Sequence, residues 1–115
     1  PFYLGSLAGN TSNRGFPRFV RRFHAAFLAL PALPSEVVAG ATADPEVVVR
    51  AIRTQAHGTY VAIVNTGFRR KSSLVITLPT AGNVQDAATG VPLAAAGATL
   101  TLTLDPAELR ALHIR

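Results

Sequence analysis

The sequence contains no cysteine, no methionine and no tryptophan, and Lys71 is its only lysine. Without cysteine, neither disulfides nor thiolate metal sites support the fold, and the redox compartment leaves no trace in the chain. There is no signal-peptide pattern at the start and no apolar run long enough to span a membrane. Acidic residues are scarce, six Asp and Glu against eleven Lys and Arg, which gives a net charge of +5. A basic balance points to nucleic acid or another anionic surface, or to a segment of a larger protein whose acidic half lies elsewhere. Heavy use of alanine and arginine is also what a GC-rich genome produces. The chain begins at Pro1 rather than Met, which fits an excised fragment or a processed chain.

Nearly half of the residues are apolar, 49%, which is enough to bury a core in one small domain. Two textures divide the length. Residues 1–45 hold most of the phenylalanine and a helical period. Phe16, Phe19, Val20, Phe23, Phe27 and Leu30 recur at three- and four-residue steps, one face of an amphipathic helix over about 16–30. Arg18, Arg21 and Arg22 fall on the other side. Asn13 to Gly15 reads as the opening turn, Pro17 suits the first helical turn, and Pro31 and Pro34 close the helix because proline has no N–H to continue the ladder. Such an aromatic face needs something large to pack on. Residues 39–45 are small and polar and read as a linker.

Residues 46–115 read as strands. The sequence predicts strands over 46–54, 59–66, 74–78, 83–86, 99–104 and 109–114, separated by turns at His57-Gly58, Pro79 to Gly82, Ala88-Thr89-Gly90 and Asp105-Pro106. Leu100, Leu102 and Leu104 alternate with Thr99, Thr101 and Thr103, the pattern of a half-buried strand with leucines inward. Nothing of helical length separates these strands, so a parallel sheet is excluded and the fold expected is mainly β, a small antiparallel β-sandwich with one N-terminal amphipathic helix.

The order of these elements carries a resemblance. A strand ending Val64-Asn65-Thr66-Gly67, a strand ending Leu78-Pro79, a hairpin Asp86-Ala87-Ala88-Thr89-Gly90 and a closing strand Leu109 to Ile114 together resemble the C-terminal β-sandwich that follows the (β/α)8 barrel of many glycoside hydrolases. The resemblance covers about residues 46–115 and implies that the helix is similar to the last helix of such a barrel. On that comparison residues 1–45 are the tail of a catalytic domain, and the chain is a non-catalytic accessory domain that packs against and stabilises the barrel. The partners it implies are the catalytic domain of the same parent chain and carbohydrate. The helix face adds self-association, and no membrane partner is expected. Two alternatives stand beside this reading: a carbohydrate-binding module, and a small basic nucleic-acid-binding β-domain acting through Arg69, Arg70 and Lys71, though nucleic acid is the less expected partner.

Candidate chemistry is sparse. Glycoside cleavage needs two carboxylates facing one sugar bond, but Asp44, Glu46, Asp86, Asp105 and Glu108 all sit at turns, caps or edges, and Glu36 follows the helix. His24, His57 and His113 lie on a helix, a turn and a strand, without metal-ligand spacing, and are expected at the surface. The serines lack a nucleophile-elbow context. No catalytic, cofactor-binding or metal-binding residue is assigned. The one candidate contact site is Arg69, Arg70 and Lys71, a basic loop between two strands that offers an anion or surface contact, joined by Arg14, Arg18, Arg21 and Arg22 if the helix lies near.

Overall fold

The computed structural model describes residues 18–115, with side chains from Arg21 onward. The expected opening turn, Arg14, Phe16 and Pro17 lie outside the described residues. Helix α1 spans Arg18–Leu28, and the strands are β1 Glu36–Val37, β2 Val47–Arg53, β3 Thr59–Asn65, β4 Lys71–Thr77, β5 Val84–Asp86, β6 Pro92–Leu93, β7 Thr99–Leu104 and β8 Leu109–Ile114. They form two antiparallel sheets: six strands in the order β1-β2-β3-β8-β5-β6, and a separate pair, β4 with β7. The expected antiparallel sandwich is present. It has eight strands rather than six, because β1 and β6 are two-residue edge strands whose existence depends on pairing with β2 and β5.

The core lies between the sheets. Val47, Val49, Val61, Ile63, Leu112, Ile114 and Val84 of the larger sheet meet Leu74, Ile76, Leu78, Leu100, Leu102 and Leu104 of the smaller. In β7 the leucines are buried while Thr99 and Thr101 are exposed, as the alternation requires. Val75 and Thr77 face outward from β4 in the same way. Residues 39–45, expected as a linker, are instead tied to the sandwich. Ala41 is buried in the core cluster, its carbonyl accepts the Thr77 N–H at 2.7 Å, and the Val38 N–H donates to the Val49 carbonyl. Alanine is small enough to enter the gap beside β4, which no turn-propensity reading weighs.

The outer face of the larger sheet carries the helix. Strand register puts Tyr60 beside His113, Ala62 beside Ala111 and Val64 beside Leu109 on that face. Ala26 is buried against Leu109 and Ala111, with Ala29, Leu30, Ala62, Val64 and Ala87 packed around them. The phenylalanines Phe23 and Phe27 do not take part in this contact. Phe23 is 39% and Phe27 59% exposed. Ala26 of the helix, with Ala29 and Leu30 just past its end, meets the sheet instead, because alanines let the helix backbone approach β3 and β8 closely. Arg22, exposed one turn before Ala26, pairs with Asp105.

The hairpin joining β5 and β6 is built as its residues dictate. Asp86 Oδ1 accepts the N–H groups of Ala88 and Thr89 at 2.9 and 3.0 Å, the Gly90 N–H donates to the Asp86 carbonyl at 2.7 Å, and Gly90 takes φ 77°. Glycine occupies this left-handed backbone without the penalty a Cβ brings. Replacing Asp86 by alanine is expected to cost about 1 kcal/mol, the net worth of a side chain that satisfies two backbone donors. Circular-dichroism melting should record a fall of roughly 4–8 °C for that loss in a domain of this size.

Candidate functional site

The candidate basic residues sit at one end of the sandwich, where the β3–β4 loop, which crosses from the larger sheet to the smaller, meets the β7–β8 turn. The loop is fixed by a buried side chain. Asn65, the last residue of β3, is fully buried. Its Nδ2 donates to the carbonyls of Arg69 and Asp105 at 2.9 and 3.1 Å, and its Oδ1 accepts the Gly67 N–H at 3.0 Å. One carboxamide therefore folds its own loop and ties it to the β7–β8 turn. A Cβ at Gly67 would meet the Glu46 carboxylate, the end of a flexible, half-exposed side chain that would have to shift. The turn beneath is closed by Glu108, whose Oε1 accepts the Asp105 N–H at 2.8 Å and whose Oε2 receives Arg110 Nη2 at 3.0 Å.

This frame divides the expected trio. Lys71 is not in the loop but is the first residue of β4, opposite Leu104, followed by a register shift before Leu74 at which Ser73 takes φ 53°. Its Nζ lies 2.6 Å from Glu46 Oε1 and 3.2 Å from Asp44 Oδ2, so its charge is matched locally. Arg70 Nε lies 3.5 Å from Asp105 Oδ1, while Arg22 Nη2 reaches Asp105 Oδ2 at 3.2 Å. Two guanidinium groups from different elements thus share one carboxylate. Among the described residues no salt bridge engages Arg69. Phe68, between Gly67 and the arginines, is 95% exposed.

The two carboxylates on Lys71 border an open groove lined by residues 42–46 and 69–75. The Asp44 carboxyl is held below its ordinary range, chiefly because it accepts the Glu46 N–H at 2.9 Å, with Lys71 adding to the effect. Lys71 is pushed above the usual lysine range, first by its bond to Glu46 and then by Asp44. A lowered carboxyl stabilises the fold above its unfolded value near ~3.9 and loses that contribution as pH falls through the folded value; a raised amine stabilises fully below about 10.4 and loses it as pH rises further. The denaturation midpoint is therefore expected to fall at both extremes of pH. Lys71→Met should flatten the alkaline edge, and Asp44→Asn the acid edge, in urea titrations repeated across pH.

The remaining candidates are structural in placement. Glu36 pairs with Arg53 at 3.1 Å on the surface. Asp86 serves its turn, and Asp105 and Glu108 serve theirs. His57 is exposed in the β2–β3 turn. His113 was expected at the surface and is buried, 4% exposed. Strand β8 lies between β3 and β5, and the Tyr60 ring stacks on the imidazole with centroids 4.2 Å apart and planes 5° from parallel. Its Nε2 bonds the His57 carbonyl, which requires that nitrogen to carry the proton. The imidazole thereby pins the β2–β3 turn against β8. No group of three or more His, Asp or Glu side chains suited to hold a metal occurs among the described residues. What the end of the sandwich does offer is contact chemistry: a fixed loop with one exposed ring, one arginine outside any salt bridge among the described residues, and two arginines on a shared acid. Comparison of the chain with protein-family models, with curated proteins and with solved structures returns no match.

Proposed function

We propose that this chain is a non-catalytic accessory β-sandwich domain of a glycoside-hydrolase-like protein, whose work is to pack against and stabilise a catalytic (β/α)8 barrel. The observation that carries the reading is the way helix α1 is held. It docks on the sheet through Ala26, Ala29 and Leu30, while Phe23 and Phe27 stay 39% and 59% exposed on the adjoining stripe. Large aromatic side chains spaced four apart on a helix are ordinarily buried. A second domain seated on that stripe supplies the burial. The strand order and the Asp86–Gly90 hairpin that resemble the family's C-terminal domain support the same reading. So does the use of the acids, since all six acidic side chains face a local cation or backbone N–H. The test is the coding sequence upstream of Pro1, read together with the intact mass of the native product. A barrel-length segment containing paired carboxylates is expected; a start codon immediately before Pro1 would sink the idea.

A further inference from the structure

The β3–β4 loop joins two properties at its tip. It is fixed from within by the buried Asn65 carboxamide, and it displays Phe68, 95% exposed, beside Arg69 and Arg70. A preformed loop loses little conformational freedom on binding, and aromatic and arginine side chains dominate the energetics of protein interfaces. Resting on the accessory-domain reading above, we propose that Phe68, flanked by Arg69 and Arg70, is a preformed anchor that seats in an apolar socket rimmed by carboxylates on the preceding domain of the same protein.

The charges select this occupant. Arg22 and Arg70 share the single carboxylate of Asp105, and Arg69 has no salt bridge among the described residues, so the tip carries surplus positive charge. A second copy offers no acidic rim, because each of its acidic side chains already faces a local cation or backbone donor, and two chains of net charge +5 repel. A nucleic acid fits less well. Strands of phosphate want a continuous cationic track with several stacking rings, whereas this tip has one exposed ring and is bordered by Asp44, Glu46 and Asp105. Arg22 of the helix and Arg70 of the loop meet on Asp105 of the β7–β8 turn, which ties the loop to the helix.

The experiment places a photo-crosslinking phenylalanine analogue at position 68 of the full gene product, with position 91 as a control. Val91 is also exposed, at 55%, and lies in the β5–β6 hairpin. Irradiation is expected to join position 68 to a segment upstream of Pro1 that combines apolar residues with Asp or Glu. Arg69→Glu should lower that yield about tenfold, the effect of losing one favourable charge contact at an interface rim, while the melting temperature of the 115-residue chain stays unchanged. Crosslinks to a second copy or to nucleic acid, or a yield equal to that at position 91, would overturn the anchor. A gene product without any preceding domain shows itself in the coding sequence alone, so failure of the accessory-domain reading is separable from failure of the anchor.

Discussion

Replacing Asn65 by alanine is expected to destabilise the protein by about 3 kcal/mol and to lower its melting temperature by roughly 10–20 °C. Its carboxamide is fully buried and makes three hydrogen bonds, two donated to the carbonyls of Arg69 and Asp105 and one accepted from the Gly67 N–H. Alanine removes all three at once and leaves two acceptors and a donor in a space too small to hydrate fully. Groups stranded in this way cost about 1–3 kcal/mol each, reduced where water reaches them. The Asn65 N–H, which donates to the Glu108 carbonyl at 3.0 Å, survives the change, so β3 itself should persist while the β3–β4 loop loosens. Asn65→Asp is the sharper probe. It keeps the shape and replaces the donor with an oxygen that faces two carbonyl oxygens. At neutral pH it should be at least as damaging as alanine, and it should recover part of the loss in acid, where the carboxyl carries a proton that can be donated. A melting temperature for Asn65→Ala within a few degrees of the parent would show that the loop is held by something else.

The residues that were legible in the sequence are those whose partners are close in sequence or whose pattern repeats. Leu100 to Leu104 against Thr99 to Thr103 fixes which side of β7 is buried, since a strand has a two-residue period and no other solution. Asp86 to Gly90 declares a turn because its hydrogen bonds span only four residues. The misread features depend on distant neighbours. Lys71 reads as one of three basic loop residues until Asp44 and Glu46 arrive from before β2 and draw it into β4. His113 reads as a surface residue until Tyr60 and the His57 carbonyl, more than fifty positions away, cover it. The helix shows why periodicity alone misleads. Its phenylalanines dominate any apolar count, yet a sheet surface made of Ala62, Ala111 and Leu109 accepts a helix most closely through Ala26 and Ala29. Two apolar stripes lie side by side on α1, and only one meets the sheet. Sequence shows the sum of both, and packing assigns them to different partners. The candidate contact site was half legible for the same reason: Arg69 and Arg70 stand out as a run, but nothing local marks Asn65 as the group that fixes their loop, or Arg22 as their neighbour across Asp105.

Leu104→Ala should destabilise the fold by about 2–5 kcal/mol, while Thr101→Ala on the same strand should stay within about 0.5 kcal/mol of the parent. Leu104 is wholly buried between the sheets and Thr101 is exposed. Truncation to alanine loses the transfer free energy of three carbon atoms and leaves a cavity that the surroundings fill only in part. The position is unfavourable for collapse. The β4–β7 sheet has only two strands, so Leu104 has no third strand behind it to move inward, and across the pair it faces Lys71, whose side chain is committed to Asp44 and Glu46. The loss should fall on the core as a whole rather than on the small sheet alone, because Leu104 belongs to one cluster with Val49, Ile63 and Leu112 of the larger sheet. Urea unfolding followed by far-ultraviolet circular dichroism and by tyrosine fluorescence, with Tyr3 replaced by Phe so that Tyr60 reports alone, should therefore show one coincident transition shifted to lower denaturant. Two separated transitions, or equal losses for Leu104→Ala and Thr101→Ala, would mean that the two-stranded sheet is not an integral wall of the core and that the inward-facing leucines of β7 do not hold the sandwich closed.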